Sequence, residues 1–211
     1  MNFEFEDWGL IDYQEAWDKQ KALVKEVQND KKSTLIFCQH PTVITIGKNG
    51  SEENLTQTSS FYTEKAIQVI WNNRGGDVTL HNPNQLVAYP IFNLSEFKED
   101  LHWFLRKLED CVIDTIANYN LKGDRYPGFT GVWLDQERKI CAMGLNCSRW
   151  VTSHGLALNV SNDISEFDYI IPCGIKEKEV TSISKEIGTQ VDVNKVKEQL
   201  LTSFIKNFSK E

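Results

Sequence analysis

The chain has 211 residues, 40% of them hydrophobic and 25% charged, which is typical of a soluble protein with a buried core. The net charge of -7 argues against a general nucleic-acid-binding protein, and no apolar run is long enough to span a bilayer. The stretch MNFEFEDWGL carries acidic residues where a secretory signal has basic ones, so we expect a cytoplasmic protein.

Apolar residues at helical spacing predict three helices. The first covers residues 12–27, the second covers residues 100–119, and the third begins near Asp192, a favoured N-cap residue. The apolar face of the third helix consists of Val193, Val196, Leu200, Phe204 and Phe208.

Short apolar or alternating runs between the helices predict strands. Helices at both ends and in the middle, with strands between them, predict an α+β fold with a mixed or antiparallel sheet and flanking helices. No linker divides the chain, so we expect a single domain over residues 1–211, with at most a small C-terminal lobe. The polar stretch 51–61 is predicted to be a loop, and the predicted strands cover residues 33–38, 43–47, 67–71, 86–91, 131–134, 140–145 and 155–160.

The stretch RGGDVTLHNPNQLVAYP begins at Arg74 and follows a predicted strand. Gly75 and Gly76 let the backbone turn sharply, and Val78 and Leu80 then alternate with polar residues as on a half-buried strand. From this spacing alone, a glycine-rich turn followed by a hairpin is favoured over a ligand site. The stretch lacks the pattern of a phosphate-binding P-loop.

The chain has five cysteines, an odd number without any Cys-x-x-Cys pair, which indicates no disulfide framework. Cys38, Cys111 and Cys141 lie inside apolar runs and are predicted to be buried packing residues. Cys147 lies near a predicted strand end and is left undecided. The four histidines show no metal-ligand spacing, so a zinc site is not expected.

Cys173 differs from the other cysteines because it lies in a Pro-Cys-Gly turn within IIPCGI. A nucleophilic thiol needs exposure and a nearby positive charge that stabilises the thiolate. Lys139, at the start of KICAMG, is a candidate for that charge, and a solvated strand end is the alternative. His154 is interpreted as a hydrogen-bonded structural residue, followed by Gly155, which would allow close approach of a ligand.

Several stretches, taken together in order and spacing, resemble the lipoyl(octanoyl) transferases of the lipoate- and biotin-protein ligase superfamily. The resemblance covers most of the chain. The matching stretches are residues 74–91, 131–144, 148–160 and 167–175, with weaker support from 40–47 and 180–188.

The resemblance implies a lipoate/biotin ligase-like α+β domain that transfers an octanoyl or lipoyl group, the first step of endogenous protein lipoylation. The donor would be octanoyl-acyl carrier protein. The acceptors would be lysines of lipoyl domains in 2-oxoacid dehydrogenase complexes and of the glycine cleavage H protein. No metal, cofactor, nucleic acid or membrane is implied.

The same resemblance implies roles for individual residues. Cys173 would take the acyl group as a thioester, and Lys139 would assist it. The implied substrate-binding residues are Arg74, Gly75, Gly76, Asp77, Val78, Thr79, Leu80, His81, Ala142, Met143, Gly144, Gly155, Leu156 and Ala157.

The chain departs from the family pattern at four positions. Asn82 and Asn84 stand where the family has glycines, and asparagine is the ordinary residue best able to adopt left-handed backbone angles. Leu80 replaces a usual aromatic residue beside His81, and Cys141 stands where a small alanine is common.

Three alternatives stay open on the sequence. An ATP-dependent lipoate or biotin ligase would share the fold and would not need Cys173. A non-catalytic acyl-binding module would keep the pocket without turnover. A papain-like thiol hydrolase would need His154 or His81 as its base, although the local papain signature is missing.

The acidic charge of the chain conflicts with acidic carrier and lipoyl partners unless a local basic patch attracts them. We expect Lys48 and Arg149 to rim the cleft, because they flank the matching motifs. The other candidate cations are Arg74, Arg125 and Lys139.

Overall fold

The computed structural model of the chain describes residues 2–172 and 178–209. None of the helices in these ranges is long and apolar enough to cross a membrane. The helices are α1 (Tyr13–Val27), α2 (Ser59–Glu64), α3 (Leu101–Ala117), α4 (Ile183–Ile187) and α5 (Val193–Asn207). The strands are β1 (Glu4–Leu10), β2 (Thr34–Gln39), β3 (Val43–Ile46), β4 (Gln68–Trp71), β5 (Val78–His81), β6 (Gln85–Ile91), β7 (Gly123–Tyr126), β8 (Phe129–Leu134), β9 (Arg138–Ser148), β10 (Val151–Asn159) and β11 (Glu179–Val180).

The larger sheet, within the described ranges, has eight strands in the order β1-β2-β6-β10-β9-β8-β7, with β11 beside β9. The β1/β2 and β9/β11 pairs are parallel, and the β2/β6, β6/β10, β10/β9, β9/β8 and β8/β7 pairs are antiparallel. The sheet is therefore mixed, as the sequence predicts.

Helices cover both faces of this sheet, and the side chains of β2 show it directly. Leu35 and Phe37 pack into the core beneath α3 and α5, while Ile36 and Cys38 pack into the core beneath α1. Successive side chains of a strand point to opposite faces. A strand between two apolar layers is therefore a continuous apolar run, which is why the central strands were recognisable in the sequence.

A smaller sheet of β4, β3 and β5 packs its buried residues against the segment around Phe167 and Ile170. Strand β5 is followed directly by β6 of the larger sheet. The turn between them contains Asn84 at φ 68°, a left-handed angle as expected, whereas Asn82 does not have a positive φ. This arrangement brings the Arg74 loop against β9 and β10.

Some elements differ from the predictions. Asp192 caps α5 as expected, because its side chain accepts a hydrogen bond from Asn194 N. The prediction of a loop over 51–61 was wrong in its last part, where Thr58 Oγ1 accepts from Phe61 N and starts α2. Strand β1 was missed because its apolar residues are interrupted by acidic ones and none of its residues is buried, so it lacks the apolar run that marks the central strands.

Candidate active site

A cleft lies where the smaller sheet and the Arg74 loop meet the larger sheet and α1. The volume of the cleft is about 530 Å³, including the part that is open to solvent. Its mouth is formed by exposed or partly exposed residues such as Gly76 and Met143, and its far end by buried residues such as Tyr89. The lining residues are Tyr13, Arg74, Gly76, Asp77, Val78, Thr79, His81, Val87, Tyr89, Lys139, Ala142, Met143, Gly144, His154, Gly155, Leu156 and Ala157.

Most of the binding residues named from the sequence meet at this cleft, although they come from three separate stretches of the chain. Leu80 and Gly75 do not line it. Leu80 is buried in the core on the opposite face of β5 from Thr79, and Gly75 N donates to Leu145 O at 2.8 Å. A binding role for the lining residues stays a prediction.

Arg74 holds the loop at the cleft mouth through its guanidinium group. Its Nη2 donates to Thr45 O at 2.6 Å and to Thr45 Oγ1 at 2.9 Å, and its side chain is largely buried. Gly76 adopts φ 86°, a left-handed angle that favours glycine. A Cβ on Gly144 would lie 2.6 Å from Gly75 O, so the loop can rest on β9 only because that position lacks a side chain.

Asp77 joins this loop to the neighbouring segment. Its Oδ2 accepts from Asn54 Nδ2 at 2.6 Å, and its Oδ1 accepts from Ser51 N at 3.3 Å and from Val78 N at 2.7 Å. Its carboxylate is thus occupied by three donors, which suits a residue that shapes the cleft mouth.

Lys139 lies on β9 with its side chain mostly buried beside the cleft. It is 8% exposed, and its Nζ lies 5.1 Å from the centre of the Trp133 ring. Its backbone carbonyl accepts from Thr181 N at 3.0 Å, which ties the start of the segment after β11 to β9. A smaller adjoining space is also lined by Lys139, and its wall includes Pro172 and Val180.

Cys173 lies outside the described residues, so the predicted pairing with Lys139 is not tested. The four described cysteines are poor nucleophiles. Burial raises the pKa of the Cys38, Cys111 and Cys141 thiols, although the Lys139 charge opposes it at Cys141, and burial also raises the pKa of the half-buried Cys147. The prediction that Cys38, Cys111 and Cys141 are buried is confirmed.

His81 has a defined tautomer. Gln85 Nε2 donates to Leu80 O at 3.2 Å and to Asn159 Oδ1 at 2.9 Å, so its Oε1 is left to accept from His81 Nδ1 at 2.8 Å. Burial lowers the pKa of His81 to about 3, and this ring is therefore neutral at neutral pH. Its Nε2 is the nitrogen without a proton.

His154 lines the cleft as a buried, hydrogen-bonded residue, which agrees with its structural interpretation. Its Nε2 hydrogen-bonds Asn73 Oδ1 at 2.7 Å, and its backbone has φ 59°. Burial lowers its pKa to about 3, and the charges of Arg74 and Lys48 add to this effect. Gly155 is needed by the sheet itself, because a Cβ there would overlap Ala88 O of β6.

Sequence reasoning did not assign Tyr13, Val87 and Tyr89 to the cleft, which they line. Tyr13 fits the apolar period of α1, and the other two belong to a continuous apolar strand. Nothing in that local pattern separates a residue that lines a cleft from one that fills a core. The pairing of β6 with β10 and the packing of α1 on them bring these side chains together.

Comparison with known proteins gives consistent matches. Residues 12–205 match the family model described as the lipoyl protein ligase A/B catalytic domain. An octanoyltransferase of Cytophaga hutchinsonii is 45% identical over 93% of this chain and 88% of its own length. An octanoyltransferase of Christiangramia forsetii is 45% identical over 100% of this chain and 98% of its own length.

Solved structures of lipoate-protein ligases share the fold. A lipoate-protein ligase A bound with ATP superposes with a TM-score of 0.83 at 14% identity, over 98% of this chain and 85% of that chain. A bipartite lipoate protein ligase of Thermoplasma acidophilum gives a TM-score of 0.76 at 13% identity, over 98% and 84%. At such low identity the likeness concerns the fold alone, and it confirms the predicted fold class.

Proposed function

Since the chain belongs to the octanoyltransferases within the lipoyl protein ligase A/B catalytic-domain family, we propose that it transfers an octanoyl group from a carrier thioester to a lysine amine. The donor is octanoyl-acyl carrier protein. The acceptors are lipoyl domains of 2-oxoacid dehydrogenase complexes and the glycine cleavage H protein. The observation that carries this proposal is the largely apolar cleft with Lys139 in its wall.

The cleft is suited to a hydrocarbon chain. Val87, Met143, Leu156 and Ala157 supply apolar surface, and the neutral His81 adds a ring face. Each methylene buried there contributes about 0.8 kcal/mol. An octanoyl chain therefore gains several kcal/mol of binding from the cleft alone.

The proposed nucleophile is Cys173, with Lys139 as its partner. Pro172, which precedes Cys173 in the chain, lines the same small space as Lys139. The described chain thus reaches the neighbourhood of Lys139 one residue before Cys173, which supports the proposed pairing. The raised pKa values of the four described cysteines leave Cys173 as the better candidate.

The first half of the reaction forms an acyl-enzyme. The Cys173 thiolate, favoured by the Lys139 ammonium, attacks the thioester carbonyl of the donor. A new C–S bond forms, the C–S bond to the carrier breaks, and the carrier thiolate takes a proton from Lys139 to leave as a thiol. Lys139 is then a neutral amine.

The second half transfers the acyl group to the acceptor. A neutral lysine amine attacks the Cys173 thioester, so a C–N bond forms and the C–S bond breaks. Lys139 takes the proton that the attacking amine loses, which restores the ammonium beside the departing thiolate. No nucleotide enters either half, in contrast to a ligase that activates a free acid.

Intact mass of the protein after mixing with octanoyl-acyl carrier protein, without ATP, tests this function. We expect an octanoyl adduct that hydroxylamine removes and that moves to an added lipoyl domain. Cys173→Ser should lack the adduct, and the matched control Cys147→Ser should keep it. A folded protein that forms no adduct, or that needs ATP to modify the acceptor, would overturn the proposal in favour of a binding module or a ligase.

A lysine held against the Arg74 loop supports an acidic carrier as the donor. Lys48 N donates to Arg74 O at 3.0 Å, and Lys48 Nζ donates to the amide oxygen of Asn146 at 2.9 Å. Arg149 lies at the β9–β10 turn and donates to the amide oxygen of Gln28, which is about 20 Å along α1 from Tyr13, the residue of that helix that lines the cleft, so Arg149 is not part of the cleft edge. The amide partner of Lys48 does not compensate its positive charge, and such a charge attracts an acidic partner.

The salt dependence of transfer tests the role of Lys48. Lys48→Ala should lower kcat/KM at low salt and flatten its fall with added salt. The control Lys206→Ala removes an exposed lysine that is ion-paired with Asp114 on α3, and it should leave both quantities unchanged. Equal behaviour of the two variants would exclude Lys48 from carrier attraction.

A further inference from the structure

Three aromatic rings close the buried end of the cleft. Tyr13, His81 and Tyr89 are 2%, 7% and 3% exposed, and all three line the space. The Tyr13 and His81 rings are stacked with centroids 5.8 Å apart and an interplanar angle of 12°. The partly exposed Met143 lies on β9 and Tyr89 lies on β6, with β10 between them, so a chain that enters beside Met143 and runs across the strands points toward these rings.

His40 lies behind all three rings. Its ring centroid is 5.3 Å from that of Tyr13, 5.8 Å from that of His81 and 5.9 Å from that of Tyr89. The His40 side chain is fully buried and does not line the cleft. It belongs to the matching motif HPTVITIG, yet the transfer chemistry gives it no part.

Hydrogen bonds fix His40 and, through it, Tyr89. His40 Nδ1 lies 2.8 Å from Ile11 O, and a carbonyl oxygen can only accept, so this nitrogen carries the proton. His40 Nε2 therefore accepts from Tyr89 Oη at 2.7 Å. Burial lowers the pKa of His40 to about 4, so this ring is neutral at neutral pH.

The other two rings are held in the same manner. Tyr13 Oη accepts from Asn72 Nδ2 at 2.6 Å, and His81 Nδ1 donates to Gln85 Oε1 at 2.8 Å. A ring that moved aside to make room would leave a buried polar group without its partner, which proteins avoid. The end of the cleft is therefore rigid as well as closed.

We propose that Tyr13, His81 and Tyr89 form a floor that sets the maximum length of the acyl chain, with His40 as the positioning residue that holds it. The inference rests on the proposed function and adds its specificity. The floor accepts linear acyl groups up to about the octanoyl length. Longer chains would have to displace a ring that a buried hydrogen bond holds in place.

Competition between octanoyl and decanoyl acyl carrier protein tests the floor. Tyr89→Val removes the ring, and it should raise the decanoyl-to-octanoyl ratio of kcat/KM roughly tenfold, because two more methylenes can be buried. Tyr89→Phe keeps the ring and removes its hydrogen bond to His40, and it should raise the ratio by a smaller factor.

A matched control separates this effect from general loosening. Tyr119→Val makes the same change at a partly buried tyrosine on the far side of the molecule, bonded to Gln199, and it should leave the ratio unchanged. A ratio in Tyr89→Val equal to that of the unaltered protein, with octanoyl transfer retained, would overturn the proposal. So would an equal rise in Tyr119→Val.

Direct binding keeps this test independent of the transfer chemistry. Calorimetry with octanoate and decanoate requires neither an acyl-enzyme nor an acceptor. The ratio of the octanoate Kd to the decanoate Kd should be roughly tenfold higher in Tyr89→Val than in the unaltered protein. If no transfer occurs but the change in the relative affinity for decanoate is seen, the proposed function is refuted and the proposed floor is supported. If transfer occurs but the relative affinity for decanoate does not change, only the proposed floor is refuted.

Discussion

Three buried histidines, His40, His81 and His154, should make this protein markedly less stable at pH 5 than at pH 7. Burial lowers their pKa values from the ordinary 6.5 to about 4, about 3 and about 3. In the unfolded chain each ring takes up a proton as the pH falls through 6.5, whereas the folded protein holds it neutral until pH 4 or below. The unfolded state therefore binds more protons in this window, and stability falls as the pH falls.

The size of the effect follows from the same values. One pKa unit corresponds to about 1.4 kcal/mol, and pH 5 lies about 1.5 units below the unfolded value. Each histidine then lowers the free energy of unfolding by about 2 kcal/mol between pH 7 and pH 5, and the three together lower it by about 6 kcal/mol. Proteins of this kind are stable by about 5–15 kcal/mol, so much of the total would be lost. Ordinary carboxylates titrate below this window.

Urea unfolding followed by tryptophan fluorescence at several pH values measures this loss. His154→Asn removes one of the three rings, and asparagine tolerates the left-handed backbone at that position, so the slope between pH 7 and pH 5 should fall by about a third. The exposed His102 provides the control, because His102→Asn should leave the slope unchanged. A free energy of unfolding that differs by less than about 1 kcal/mol between the two pH values would refute the reasoning.

Substitutions at three further positions test the local geometry. Gly155→Ala should lower the free energy of unfolding by about 1–3 kcal/mol, because the Cβ of the alanine would overlap Ala88 O. An unchanged midpoint of urea unfolding would contradict that overlap. Asn84→Ala should lower the free energy of unfolding by about 1 kcal/mol, because the residue has φ 68°, while Asn84→Gly should be nearly neutral. In calorimetry, Asn84→Ala should therefore melt at a lower temperature than Asn84→Gly. Gln85→Leu should lower the free energy of unfolding by about 1–3 kcal/mol, because it leaves His81 Nδ1 without its acceptor. The ¹⁵N NMR shifts of the His81 ring should change, and unchanged shifts would argue against that hydrogen bond.

Much of the fold follows from local pattern. The helices α1, α3 and α5 have clear apolar periods, and aspartates at positions 12, 100 and 192 cap them. The central strands are continuous apolar runs, since both faces of the larger sheet are covered. The octanoyltransferase resemblance likewise came from the order and spacing of short motifs, and the comparisons confirm the family. The extent of the domain and the role of Cys173 stay predictions.

The tertiary structure alone decides which residues share the cleft. Tyr13 lies on α1, His40 follows β2 and Tyr89 lies on β6, and the rings meet because α1 packs across these strands. Their spacing in the sequence carries no sign of this, since a buried aromatic residue satisfies the same apolar period whether or not a cleft lies beside it. The protonation states depend on the same packing, because burial in the assembled core lowers the pKa of His40 and His81. Sequence by itself determined the family and the elements that carry the motifs, while long-range packing determined the shape and electrostatics of the site.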